Sequence, residues 1–216
     1  MIIKYFGHSA FFIKSKTARI ITDPFDSSIG IPFPKTEADV ITISHHHKDH
    51  NDVSNISGDP LIIDYPGEYE KKKARITGFK NYHDGNKGRD RGENILYKIE
   101  ADDLSVLHCG DLGMIPDDEF IDQIGEVDIL MVPVGGLYTI DAQEATQLIK
   151  KIEPQIVIPM HYANPTLKKE VFAGLAPVTD FLKKMGKDEQ PLEAQLTLKK
   201  DDLQGELKVI VMEISS

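Results

Sequence analysis

The 216-residue chain has a single cysteine, Cys109, and no tryptophan. One thiol excludes an internal disulfide and suits a reducing compartment. The chain also lacks any apolar run near the roughly twenty residues that a membrane-spanning helix needs. Its opening stretch, MIIKYFGHSAFFIK, is interrupted by Lys4, Gly7 and His8 and does not read as the apolar segment of a secretion signal. Positive charge is scarce: 25 Lys and Arg stand against 35 Asp and Glu, a net charge of −10. A diffuse acidic surface disfavours indiscriminate binding to nucleic acid or to anionic membranes. These shortages lead us to expect a cytoplasmic protein that acts on a small molecule, without membrane or nucleic-acid partners.

What is present reads as globular. Hydrophobic residues make up 40% and charged residues 28% of the chain, which suits one domain spanning residues 1–216. Short apolar segments rich in β-branched residues predict strands at 2–6, 10–14, 19–22, 40–44, 61–64, 75–80, 95–100, 104–109, 129–132, 156–159, 194–199 and 207–213. Asp141 to Ile152 is the clearest helix. Asp141 caps it, Glu144 completes a capping box, and Ala142, Ala145, Leu148, Ile149 and Ile152 share one face. Weaker helical patterns run over 116–124 and 178–185. The charge run at Lys71 to Arg75 reads as a solvated turn. Early hairpins followed by strand–helix alternation predict sheets covered by helices.

Half of the eight histidines fall in one stretch, ISHHHKDHND, just past a predicted strand. Residues 45, 47, 49 and 50 form the pattern His-x-His-x-Asp-His. A polar helix cap with solvated histidines is the bland explanation, but ligand-type residues at this spacing favour metal binding. His46 and Lys48 fall between the ligand positions and should point away. His83, Asp111 and His161 each follow another predicted strand end, where open α/β architectures place their sites. Imidazole and carboxylate groups suit zinc, manganese and iron. Cys109 reads as core filler, His108 as a supporting residue, and His8 as a buried, hydrogen-bonded structural histidine.

The set His45, His47, Asp49, His50, His83, Asp111 and His161 resembles the ligand motifs of the metallo-β-lactamase-fold hydrolases in order and rough spacing. The segment IITDPFD resembles that family's first motif, with Asp23 in its structural aspartate position. GHSAFFI, NYHD, RGEN, HCGDLG, PVGGLYTIDA and IPMHY are similar to the small zinc-dependent hydrolases related to ascorbate-6-phosphate lactonase. The resemblance runs from about Gly7 to Tyr162. It implies an α/β fold, a four-layer αββα sandwich with metals at the edge between its sheets. It also implies two divalent cations, zinc first, with manganese and iron also suited. His45, His47 and His83 would hold one, Asp49, His50 and His161 the other, and Asp111 would bridge them.

Water held between two cations loses a proton near neutral pH and becomes a nucleophile. Asp49 is then both ligand and catalytic residue, orienting that nucleophile. The expected reaction is hydrolysis of a small, anionic phosphoester or lactone. Arg89 and Arg91, in the flexible-looking loop after His83, are candidates to meet the anion. Tyr162 either donates to a leaving group or packs. Gly135 and Gly136 either present backbone N–H groups to an anion or make a tight turn. The alternatives are a mononuclear iron redox enzyme of the same fold, or a nuclease. The complete second ligand set disfavours the first, and the chain length leaves no room for the extra domain usual in the second.

The motif register carries its own test. His47→Ala should abolish hydrolysis of any substrate the protein turns over, whereas His46→Ala should retain most of it. Equal damage from both would show that the register is wrong.

Overall fold

The computed structural model describes residues 1–187 and 190–215. The chain opens with β1 (Ile2–Gly7), β2 (Ala10–Lys14), β3 (Arg19–Thr22), β4 (Thr36–Glu37), β5 (Val40–Thr42), β6 (Ile56–Ser57) and β7 (Leu61–Ile63). It continues through β8 (Gly67–Lys71), β9 (Ala74–Tyr82), β10 (Glu93–Ala101), β11 (Leu104–His108), α1 (Asp118–Ile124) and β12 (Ile129–Pro133). The remainder is α2 (Ala142–Ile152), β13 (Ile156–Met160), α3 (Lys169–Phe172), α4 (Val178–Lys184), β14 (Leu196–Thr197) and β15 (Lys208–Val209). A six-stranded sheet runs β14-β1-β2-β3-β5-β7, and a seven-stranded sheet runs β15-β13-β12-β11-β10-β9-β8. Both are mixed. No helix among the described residues is long and apolar enough to cross a membrane.

The two sheets face each other. Ile3, Tyr5, Phe11 and Val40 of the first share one buried cluster with Ile76, Tyr97, Ile99 and Val106 of the second. β12 and β13 are buried along their whole length, as strands covered on both faces are. α2 lays Ala145, Leu148, Ile149 and Ile152 on the outer face of the second sheet, beside Phe181 and Leu182 of α4. Its capping box is present, with Asp141 accepting from the Glu144 N–H at 2.8 Å. The outer face of the first sheet carries less helix. Phe6, Ile21 and Ile41 are covered there by Phe25, Phe33 and Phe172, the last from the short α3.

Strand direction positions the site. β1 is antiparallel to β2, β2 to β3, and β3 is parallel to β5, so β1 and β5 run the same way. In the second sheet β9 is antiparallel to β10, β10 to β11, and β11 to β13 are parallel, so β9, β11 and β13 run the same way. The loops leaving these five strands carry His8, the His45–His50 cluster, His83, Asp111 and His161.

Two buried polar ties lock the sheets beneath that edge. The Tyr97 hydroxyl, on β10, lies 3.0 Å from the carbonyl oxygens of both Ile43 and Ile63 in the first sheet's loop region and β7. His108, at the end of β11, donates from Nε2 to the Ser9 carbonyl at 2.7 Å and accepts from the Gly110 N–H at Nδ1. These bonds fix its tautomer, and burial holds its imidazole below the usual histidine pKa.

Departures from the sequence reading lie at sheet edges. β8 was unforeseen because its residues, GEYEK, are mostly polar and alternate only between half-buried and exposed, as an edge strand allows. Lys72 and Lys73, with φ of 51° and 63°, form the turn between β8 and β9, so the charge run is a hairpin tip. Lys72 also reaches Asp39 at 2.7 Å. The last two predicted strands shrink to β14 and β15, each pairing through two residues on a sheet margin. The pair β4–β6 and helix α3 are too short to leave a periodic signal.

Tyr97→Phe removes the cross-sheet hydroxyl and keeps the ring. It should lower stability by about 1–2 kcal/mol, read as a shift of the urea midpoint at unchanged m-value. An unshifted midpoint would mean the tie contributes nothing.

Candidate metal centre

The loop after β5 is shaped by one buried carboxylate. Asp23, fully buried, accepts from the Ser44 N–H at 2.7 Å and the Ser44 hydroxyl at 2.6 Å. It also accepts from His50 Nδ1 at 2.9 Å. Ser44 has thereby spent its only proton, so its oxygen accepts from His45 Nδ1 at 2.9 Å. His83 Nδ1 donates to the Tyr138 carbonyl at 3.0 Å. In each of these histidines the bond at Nδ1 leaves Nε2 free to bind a metal, the arrangement that orients metal-binding imidazoles.

These free nitrogens converge. Asp111 Oδ2 lies 3.3 Å from His50 Nε2, 3.4 Å from His83 Nε2 and 3.2 Å from His161 Nε2. Ligand atoms gather in three overlapping groups: His45–His47–His83, His8–His50–His161, and His45–His50–Asp111, each within 4.8 Å. The second group has His8 where the sequence assignment had Asp49. Asp49 sits beside it, with Oδ2 at 3.2 Å from His8 Nε2 and 3.8 Å from His50 Nε2.

The donors fit a pair of divalent cations. His45 Nε2, His50 Nε2 and Asp111 Oδ1 are buried with no hydrogen-bond partner, as are His8 Nδ1 and His161 Nδ1. Such atoms ordinarily cost about 1–3 kcal/mol each, and the residues that carry them are among those grouped above. Burial would raise the Asp111 carboxyl, but the His161 and His50 imidazoles outweigh it and hold it well below the usual range. Burial likewise works against ionised Asp49, and His8 and His50 hold it low. Burial and the neighbouring His50 push His45 down, and burial lowers His83. Burial and His161 take His8 to about 4. His50 alone is raised, because Asp111 and Asp23 outweigh its burial. Ionised carboxylates and mostly neutral imidazoles are the state that binds metal.

Asp111 owes its position to its neighbours. Its N–H donates to Asn94 Oδ1 at 2.9 Å, and Asn94 Nδ2 donates to the Cys109 carbonyl at 2.9 Å. Gly110 has φ 53°, and a Cβ there would lie 2.4 Å from Asn94 Oδ1, so the turn requires glycine. Neither Asn94 nor Tyr138 was singled out from sequence. Their contributions pass through an amide side chain and a backbone carbonyl that carry no metal-ligand signature. His8 is buried and hydrogen-bonded, as its sequence reading has it, and it also lies inside the ligand cluster; its place in GHSA, a segment similar to the hydrolases named above, was the available signal.

The loop after His83 is organised by one carboxylate. The Asp84 carboxylate accepts from the N–H groups of Asn86, Gly88, Asp90 and Arg91 at 2.7–3.1 Å. The structure separates the two arginines. Arg91 stacks on the Tyr138 ring, 3.3 Å from its centroid, and lines a cavity of about 380 Å³ with His45, His46, His47 and Tyr65. Arg89 is exposed and does not line it. Tyr162 is buried with its ring toward Tyr5, 6.5 Å between centroids, and does not line it either. His46 turns away from the ligand cluster to within 3.6 Å of Asp64, on the wall of the same cavity. A Cβ on Gly135 would lie 2.2 Å from the His161 carbonyl, so close approach of that loop explains the glycine. Cys109 is core, its thiol pushed up by burial. A larger groove, about 540 Å³, lies by the β10–β11 turn at the other end of β11 from Asp111, and contains no histidine.

Two facing mixed sheets with a histidine–aspartate centre at the ends of their strands define a metal-dependent hydrolase of the metallo-β-lactamase type. Residues 2–161 match the β-lactamase superfamily domain, and the chain belongs to that family. It is 29% identical to a UPF0173 metal-dependent hydrolase of Pyrococcus horikoshii, over 74% of this chain and 84% of that one. It superimposes with a TM-score of 0.79 on a Thermotoga maritima protein of the metallo-β-lactamase superfamily described as a putative Zn-dependent hydrolase, at 36% identity over 98% and 97% of the two chains. Igni18, a metallo hydrolase of Ignicoccus hospitalis, shares the fold at 21% identity, with a TM-score of 0.64 over 92% of this chain and 99% of that one.

Asp23→Asn tests the support of the ligand loop. Asparagine tolerates the left-handed backbone at this position, φ 41°, but turns an amide donor toward groups that are themselves donors. Metal affinity, measured by chelator competition, should fall about 10- to 100-fold. Unchanged affinity would show that Asp23 does not govern the ligands.

Proposed function

We propose that the protein is a dinuclear metal-dependent hydrolase of a small, anionic phosphoester or lactone. The observation that carries this reading is the convergence of His50, His83 and His161 on one oxygen of Asp111, with His45 and His47 adjoining. His45, His47 and His83 would hold one cation and Asp49, His50 and His161 the other, with Asp111 shared between them. Bound divalent cations supply Lewis acidity and water with a pKa near neutrality. Zinc is the first choice, in keeping with the Thermotoga maritima relative, and manganese and iron also suit the donors.

The residues divide the remaining work. The Asp49 side chain is 28% exposed against 3% for Asp111, so it is the carboxylate placed to meet entering water and orient it. Arg91, held beside the first-site histidines, meets the substrate's negative charge; on a chain of net charge −10 such local compensation is needed. A cavity of about 380 Å³ suits a small substrate. The likeness of the sequence motifs to the ascorbate-6-phosphate lactonase group is the support for a lactone. The core shared by both sheets supports reading residues 1–216 as one domain, and the single buried thiol suits the cytoplasm.

Elemental analysis of freshly purified protein should find two transition-metal equivalents, and a chelator should remove them together with activity. A screen of phosphodiesters, phosphomonoesters and lactones then identifies the reaction. Loss of a charged hydrogen bond in Arg91→Ala should raise KM for an anionic substrate roughly ten- to a hundred-fold and leave a neutral lactone within about two-fold. Equal effects on both substrates would remove Arg91 from charge recognition.

A further inference from the structure

The division of ligands above leaves His8 unused, and its setting is unlike that of a structural histidine. His108 shows what the latter looks like here, with both ring nitrogens engaged by backbone groups. His8 is 2% exposed, its Nε2 lies 3.2 Å from Asp49 Oδ2, and its Nδ1 is buried without a partner.

The backbone is strained to place it. His8 has φ 56° and His161 has φ 50°, left-handed values that histidine adopts at a cost. The His161 N–H donates to the His8 carbonyl at 2.9 Å, and the Tyr5 hydroxyl donates to the same oxygen at 2.8 Å. Strain held so firmly, at two residues facing one site, serves to turn both rings inward. Their centroids are 4.4 Å apart, and the His8 and His50 centroids 4.9 Å apart. One donor atom from each of His8, His50 and His161 lies within 4.8 Å of the others.

We propose that His8 is a further protein ligand of the second cation, beside Asp49, His50 and His161. This rests on the two-cation reading. It makes the second site the fuller of the two, with three imidazoles, Asp49 and the shared Asp111. The cavity is lined by His45 and His47 and by none of His8, His50 and His161. The cavity thus borders the ligands assigned to the first cation, His45 and His47. An imidazole-rich site also selects zinc, iron or cobalt over magnesium and calcium.

Metal-free wild type titrated with Co²⁺ should take up two equivalents. His8→Asn keeps a residue that tolerates left-handed backbone, so its metal-free melting temperature should stay near wild type. One of its two equivalents should bind within about two-fold of its wild-type counterpart, and the other at least roughly ten-fold more weakly, the scale of losing a metal-site contact. Cobalt-shifted exchangeable imidazole N–H resonances separate ligation from mere positioning of Asp49. Fully loaded wild type should show six, from His8, His45, His47, His50, His83 and His161, and His8→Asn should show five. Five resonances in wild type, or two equivalents bound equally well by His8→Asn, overturn the assignment of His8 and leave the two-cation reading standing. Uptake of a single equivalent by wild type overturns both.

Discussion

The arrangement depends on one buried anion. Asp111 is 2% exposed, and an isolated carboxylate at that depth costs several kcal/mol unless paired and hydrogen-bonded. His50, His83 and His161, which leave three different strands in two different sheets, bring their Nε2 atoms to one of its oxygens. The sheets must therefore bring the same edge together for the anion to be tolerated. Divalent cations would complete the balance, because buried imidazole nitrogens of this cluster have no partner. Metal binding and closure of this edge are thus coupled, as in other metal sites whose ligands exist together only in the folded chain.

Around this centre, ordinary backbone and side-chain bonds do the orienting. Asp23 and Ser44 set the tautomers of His50 and His45, the Tyr138 carbonyl sets that of His83, and Asn94 holds the turn that presents Asp111. Left-handed backbone at His8, Asp23, Tyr138 and His161 lies among the same residues. Such conformations persist where surrounding bonds over-determine them. The stability of the sandwich, including its Tyr97 and His108 ties, maintains a strained and polar edge that would not form on its own. Beyond this ring the chain relaxes. Asp84 organises the following loop through four backbone N–H groups and fixes which arginine faces the cavity.

Much of this is legible along the chain. Alternating and continuous apolar runs identify the central strands, because burial on one face or on two leaves a periodic trace. The cap at Asp141 marks α2 because a capping box is local. The ligand types were legible because few side chains bind metal, and His-x-His-x-Asp-His concentrates them. The folded chain alone shows how those ligands are grouped, that His8 joins His50 and His161, and that Arg91 rather than Arg89 borders the cavity. It also revealed β8, whose polar edge residues carry no burial pattern. The reason is common to all four. Each depends on which strand ends meet across the two sheets, or on bonds to backbone atoms that every residue type possesses, and neither leaves a mark on residue identity along the chain.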